Sequence, residues 1–195
     1  MSLRVGPVVL ESHGVRLEPL SQDHAQGLYN RGRAAPDWAY MPRSCFIDLA
    51  DTRQWIDEAL GAPAQMAFAI VELGKGKAVG STRFLNIRPQ HRSLEIGWTW
   101  LGQEWQHTAV NTEVKLLLLT HAFERLGCVR VEFKTDARNA RSQRSLERLG
   151  ATREGVLRNH MIVQGDFVRD SVYFSVIDRD WPEVKERLLL LGDRS

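Results

Sequence analysis

The sequence predicts a mixed α/β fold built on one twisted, mostly antiparallel sheet flanked by helices. Three observations carry that expectation. The stretch from Leu94 to Asp136 reads strand–helix–strand, a crossover that sets two strands parallel and packs a helix on the sheet. Strand-like stretches before and after it are joined by short turns, which is how antiparallel hairpins read. Two helices precede the meander, an order that argues against a doubly wound dinucleotide fold.

The elements follow from periodicity and punctuation. Val15 to Leu20 alternates like a strand, and Ser21 caps a helix running to about Arg33. Ala35 to Ile47 is irregular. Asp51 or Thr52 starts a second helix that Gly61 stops. Met66 to Leu73 and Ala78 to Ile87 are strands around a Gly-Lys-Gly-Lys turn, and Leu94 to Leu101 is the next strand. Ala109 to Leu126 is the strongest helix, apolar around much of its circumference and stopped by Gly127. Cys128 to Asp136 is a β-rich strand, and Ala140 to Leu149 a helix ended by Gly150. Gly155 to Val163 and Phe167 to Ile177 form a hairpin, and a last helix carries Val184 to Leu191.

The chain has 195 residues with no internal repeat, low-complexity tract or Pro/Gly/Ser linker, so residues 1–195 read as a single domain. Its 26 Lys+Arg against 24 Asp+Glu leave a net charge of +2, the balance of neither a nucleic-acid coat nor an acidic tail protein. No nucleic-acid partner is expected. No apolar run approaches the roughly 20 residues of a membrane span, and no signal peptide or lipidation motif is read. The two cysteines, Cys45 and Cys128, fit a reducing compartment, so a cytoplasmic location is expected. The six histidines lack metal-ligand spacing, so no metal is expected. Gly74 to Gly80 misses the dinucleotide fingerprint by one residue, and no Gly-x-Ser-x-Gly elbow occurs.

Two segments are candidates for chemistry. In Trp100 to Lys115 (WLGQEWQHTAVNTEVK) a strand ends and a long helix begins, with Thr108 to Asn111 at its start. A helix start offers unpaired N–H groups and the positive dipole end to an anion such as a pyrophosphate. The competing reading is that Thr108 simply caps the helix. In Asn139 to Gly150 (NARSQRSLERLG), Asn139 stands where a cap is expected, and Arg141, Arg144 and Arg148 share one helical face. That face either meets solvent or meets phosphate.

With these segments in view the chain resembles the GNAT acyltransferases, and within them the RimJ/RimL-like group of protein N-terminal acetyltransferases. The stretches EIGWTWL, WQHTAVNTEVK, RVEFKTDARNARSQRSLERLGA and EGVLRNHMIVQGDFVRDSVYF carry the resemblance, which covers nearly the whole chain. It implies a sheet splayed between its fourth and fifth strands, here Leu94–Leu101 and Cys128–Asp136, with acetyl-CoA in the gap. Trp98, Thr99 and Trp100 would then border the cofactor. The family's Gln/Arg-x-x-Gly-x-Gly/Ala pyrophosphate loop maps onto Gln106, His107, Thr108, Ala109, Val110 and Asn111, with Ala109 and Asn111 as departures. Ala109 is compatible with the loop if its φ is negative. Asn139 would hydrogen-bond the pantetheine arm. Leu146 occupies the place of the tyrosine that often protonates the leaving thiolate, and Ser142, at the serine position of the RimJ/RimL-like group, becomes the candidate for contacting the thiol.

The resemblance also implies the reaction: a primary amine, on a peptide or protein N-terminus or on a small molecule, attacks the thioester without a covalent enzyme intermediate. Glu95 is the leading candidate for the base, with Glu132 and His160 as rivals on neighbouring strands. The oxyanion would meet backbone N–H groups around Ile96 to Trp98. Trp38, Tyr40, Trp98 and His160 are candidates for the acceptor groove, with core packing the competing reading for Trp98. The alternative to an N-acetyltransferase is a CoA-binding regulatory or interaction module with little turnover. Dimers are common in the group, and Leu188 to Leu191 could supply an interface or pack on the same chain.

Overall fold

In Met66–Glu72 alternate residues face opposite sides, so Phe68 and Ile70 enter one core while Ala67, Ala69 and Val71 enter another. That split organises the molecule. The computed structural model describes residues 3–192. A two-residue strand that periodicity does not reveal, β1 (Leu10–Glu11), pairs with β2 (Val15–Pro19). It shifts the count by one. The next strands are β3 (Met66–Glu72), β4 (Lys77–Arg88) and β5 (Ser93–Leu101). They are followed by β6 (Arg130–Asp136), β7 (Thr152–Val163) and β8 (Phe167–Ile177). Among the described residues these eight strands make one sheet in the order β1-β2-β3-β4-β5-β6-β8-β7. Every neighbouring pair is antiparallel except β5 and β6.

One face carries α1 (Ala25–Arg31) and α2 (Leu49–Gly61), whose Leu28, Trp55 and Ile56 pack with Trp38, Phe46 and Trp100. The other carries α3 (Val110–Thr120), α4 (Ala140–Leu149) and α5 (Trp181–Gly192), which close over Phe68, Phe84, Phe133 and Phe174. Each such fully buried side chain is worth on the order of 1.5–3 kcal/mol relative to exposure.

Helix starts are where the sequence reading needs correcting. Ser21 opens a single tight turn, Gln22–His24, before α1, and α1 ends at Arg31 rather than Arg33. The second helix begins at Leu49, because Asp48 accepts the Asp51 N–H at 2.7 Å and caps it one turn early. The long helix keeps its α-geometry only to Thr120. Its last turn widens, with the Leu126 N–H on the His121 carbonyl at 3.0 Å. Gly150 ends α4 at φ +100, the left-handed stop expected of it. In α5, Leu188 is buried in the chain's own core while Leu189 and Leu190 are exposed.

Candidate active site

β5 and β6 pair over only three residues, Ser93↔Arg130, Leu94↔Val131 and Glu95↔Glu132, and then part. The freed lengths of both strands line a cavity of about 790 Å³, closed on its remaining sides by the starts of α3 and α4 and by residues 37–42. The parting is reinforced by a bulge on β5. Gly97 pairs with Arg83 and Trp100 with Ser81, so Trp98 and Thr99 together face Thr82, and Trp98 takes φ +51. The Trp98 ring lies on the Arg83 guanidinium at 4.6 Å, at the cleft, whereas Trp100 is buried against Trp38 and Phe46. The expected contrast is therefore reversed. Trp98 is half-buried at the lip and Trp38, read as a groove residue, is 1% exposed in the core.

The loop into α3 is braced from three sides. The Gln106 amide donates to Asp37 Oδ1 at 2.7 Å and to the Leu101 carbonyl at 3.0 Å, and its oxygen accepts from Arg141 at 2.7 Å. His107 sits at φ +61. The N-cap residue of α3 is Ala109 rather than Thr108, whose hydroxyl, one residue earlier, donates to the Trp105 carbonyl and accepts from the Val110 N–H. Ala109 has φ −60, so the missing glycine introduces no strain. The Asn111 amide reaches Ser145 on α4 at 3.4 Å. Arg141, Arg144 and Arg148 all line the cavity, so their shared face meets the cleft beside the α3 start.

Asn139 also does what a cap does: its Oδ1 accepts the Ser142 N–H at 3.0 Å. Both residues line the cavity. The turn ahead of them is locked by Asp136, which accepts from the Arg138 backbone N–H and from its Nε and Nη2 at 2.8–3.0 Å. Burial pushes the Asp136 carboxyl up, but the Arg138 hydrogen bonds and charge outweigh it and hold the carboxyl below its ordinary value. A depressed carboxylate contributes stability that is present above its unfolded value of ~3.9 and is lost as pH falls through the folded value. Asp136→Asn should therefore cost about 1–2 kcal/mol near neutral pH and reduce the loss of stability at acid pH, measured by urea unfolding across a pH series.

Glu95 stands at the last paired position before the strands part and is 2% exposed. The Asn86 amide donates to it at 2.8 Å and Lys134 lies at 3.5 Å. Its rival Glu132 is held by Arg88 and by Arg130, the latter at 3.0 Å. His160 is not brought to the cleft. It lines an adjacent hollow with Asn159 and Asp170, and its ring nitrogens meet Ser171 at 3.1 Å and Tyr173 at 3.5 Å. Tyr40 lines the cleft, and its carbonyl accepts from the buried Arg169 at 3.4 Å.

The sequence reading misses Asp37, Lys115, Asp136 and Arg169, all of which line the cavity. Only Lys115 leaves a sequence signal, as a lone cation between Val114 and the run Leu116–Leu119.

Comparison with known proteins agrees with this architecture. The family model described as an acetyltransferase (GNAT) domain matches residues 15–152. YdaF of Bacillus subtilis (strain 168), provisionally named a ribosomal N-acetyltransferase, is 32% identical over 106 residues. That match spans 54% of this chain and 57% of YdaF, so the chain covers little more than half of that relative. The spermidine N(1)-acetyltransferase of Escherichia coli (strain K12) is 23% identical over 80% of this chain and 82% of its own. The crystal structure of a GCN5-related N-acetyltransferase from Brucella melitensis superposes with a TM-score of 0.92 at 29% identity, covering 96% of this chain and 86% of that one. A family match over well more than half the chain, on a sheet that parts where its parallel pair ends, establishes that the chain belongs to the GNAT acetyltransferase family.

Proposed function

We propose that the chain is an acetyl-CoA-dependent N-acetyltransferase whose acceptor is a primary amine, on a protein N-terminus or a small molecule. The observation that carries this is the cleft between β5 and β6, lined by the guanidinium groups of Arg141, Arg144 and Arg148 and by the buried carboxylate of Glu95. Its donor set suits the cofactor its family uses. The first-turn N–H groups of α3 and the guanidinium groups of Arg141, Arg144 and Arg148 suit a pyrophosphate. The strand edges that β5 and β6 no longer spend on each other suit the amides of a pantetheine arm.

When bound, acetyl-CoA supplies an activated acetyl thioester. In this reading Gln106 to Asn111 form the pyrophosphate loop, Trp98 to Trp100 and Asn139 flank the pantetheine arm, and Ser142 contacts the thiol. Backbone N–H groups from Ile96 to Trp98 stabilise the oxyanion. Glu95 takes the proton of the acceptor amine, through water where the amine stands back from it. An α-amino group, at ~7.7–8.0 against ~10.4 for lysine, asks less of that base. Tyr40 and the segment around it border the acceptor.

The deciding experiment is a thiol-release screen with acetyl-CoA and succinyl-CoA against amines and short peptides. Release with one acceptor class supports the reading and names the acceptor. CoA binding without release from any acceptor favours a regulatory module, and absence of CoA binding overturns both. Asn139→Ala and a bulky residue at Ala109 should each weaken CoA binding by calorimetry; unchanged affinity in both misplaces the site. Asn139→Ala should also cost ~1 kcal/mol of stability through the lost cap, which Asn139→Asp should retain.

A further inference from the structure

Lys115 is a cation without a counter-ion in the lining of the cleft. Its side chain projects from α3, is 7% exposed and reaches the gap between the parting strands. There Nζ donates to Thr99 Oγ1 on β5 at 3.0 Å and lies 5.5 Å from the centre of the Phe133 ring on β6. The Thr99 hydroxyl is tied in turn to Thr82 at 2.8 Å. Among the described residues no carboxylate lies within 4.0 Å of Nζ. The charged groups of the surrounding elements are committed elsewhere. Glu113 on α3 binds Ser12, Glu95 on β5 binds Asn86 and Lys134, and Asp136 on β6 binds Arg138. On α4 the charged residues that line the cleft are all arginines. A buried ammonium with one neutral partner has donors to spare and gains from an anion that arrives beside it.

One anion arises during the proposed reaction. When the acceptor nitrogen bonds to the acetyl carbon and the C–S bond breaks, the electron pair leaves on sulfur as CoA thiolate. The position from which a tyrosine often supplies the proton holds Leu146, which is 6% exposed in the core. Ser142 can donate a hydrogen bond but is too weak an acid to give up a net proton.

We infer that Lys115 is the proton donor to the departing CoA thiolate. The inference rests on the acetyl-CoA reading of the cleft. The ammonium gives one proton to sulfur, leaving neutral lysine and CoA thiol, and the proton removed from the acceptor amine restores it through water. Burial alone pushes the Lys115 ammonium down to about 7, below an alkyl thiol at ~8.5, so the transfer runs downhill.

The test compares wild type with Lys115→Met, which keeps the length and removes the charge, and Lys115→Arg, which keeps the charge and holds its proton. Both variants should bind CoA within ~3-fold of wild type and lose on the order of 10²-fold in kcat for thiol release. The kcat of wild type should fall above neutral pH as the donor deprotonates, and Lys115→Met should lack that limb. A readout independent of turnover is the Lys115 side chain itself, followed by NMR with CoA bound: it should lose its proton near neutral pH, before the thiolate absorbance of bound CoA rises. If Lys115→Met does not fold, Lys115→Arg and the wild-type titration decide. Turnover within 3-fold of wild type in a folded variant, or a Lys115 ammonium that keeps its proton after the bound CoA thiol has ionised, overturns the inference while leaving the acetyltransferase reading intact. Failure of wild type to bind CoA overturns that reading instead.

Discussion

Glu95→Gln is expected to lower kcat by ~10²–10⁴-fold at neutral pH while CoA affinity stays within ~3-fold. The expectation rests on where Glu95 stands. Its partner across the parallel pair is Glu132, and beyond that pair the strands separate. Its carboxylate is therefore the last one before the cleft, buried, and met by Asn86 and Lys134. Gln keeps the shape and removes the ability to take a proton. Because an α-amine titrates near ~8, the defect should narrow as pH rises past that value and the amine arrives already neutral. A purely structural role would leave a defect that does not depend on pH. Turnover within 3-fold of wild type removes Glu95 as the base.

Gly80→Ala should be the most damaging single methyl in the molecule. Gly80 lies on β4 opposite Leu101, and a Cβ there would stand 2.2 Å from the Trp100 carbonyl oxygen and 3.1 Å from Leu101 Cα. Both obstacles are backbone, so neither can rotate away. Relief requires β4 and β5 to separate at the end of β5 that leads into the Gln106 loop. We expect a loss of roughly 3 kcal/mol, the upper part of the overpacking range. That corresponds to about 6–12 °C in Tm for a chain of this size. CoA affinity should fall with it, because the loop is carried by the displaced strand. A thermal unfolding midpoint within ~2 °C of wild type would show that the sheet accommodates the methyl.

Much of this was legible in the sequence, because it is written in short-range patterns. The strand–helix–strand unit fixed the one parallel pair, Gly150 stopped α4, and Asn139 marked the start of α4. Two kinds of information were not legible. The first is geometric: a two-residue strand such as β1 has too few positions to show alternation, and Asp48 caps α2 from a position that looks like loop. The second is three-dimensional. Nothing near Asp37 reveals that it will hold Gln106, 69 residues away, and nothing near Arg169 reveals that it will reach Tyr40. The rivalry among Glu95, Glu132 and His160 is likewise settled by neighbours. The register sets Glu95 and Glu132 side by side, and what separates the three is the arginines around Glu132 and a cavity lining that includes Glu95 and leaves out the other two.

The bulge on β5 gives the cleft an optical consequence. Of the chain's six tryptophans, Trp38, Trp55, Trp100, Trp105 and Trp181 are each 7% exposed or less, so their emission is set by the protein interior. Trp98 alone keeps partial access to water, and the bulge puts it at the cavity lip on the Arg83 guanidinium. A molecule that fills the cleft exchanges that water for its own surface, while Trp38, Trp55, Trp105 and Trp181 lie away from the cavity lining. Fluorescence at the long-wavelength edge of the spectrum is therefore a built-in gauge of occupancy that needs no added label.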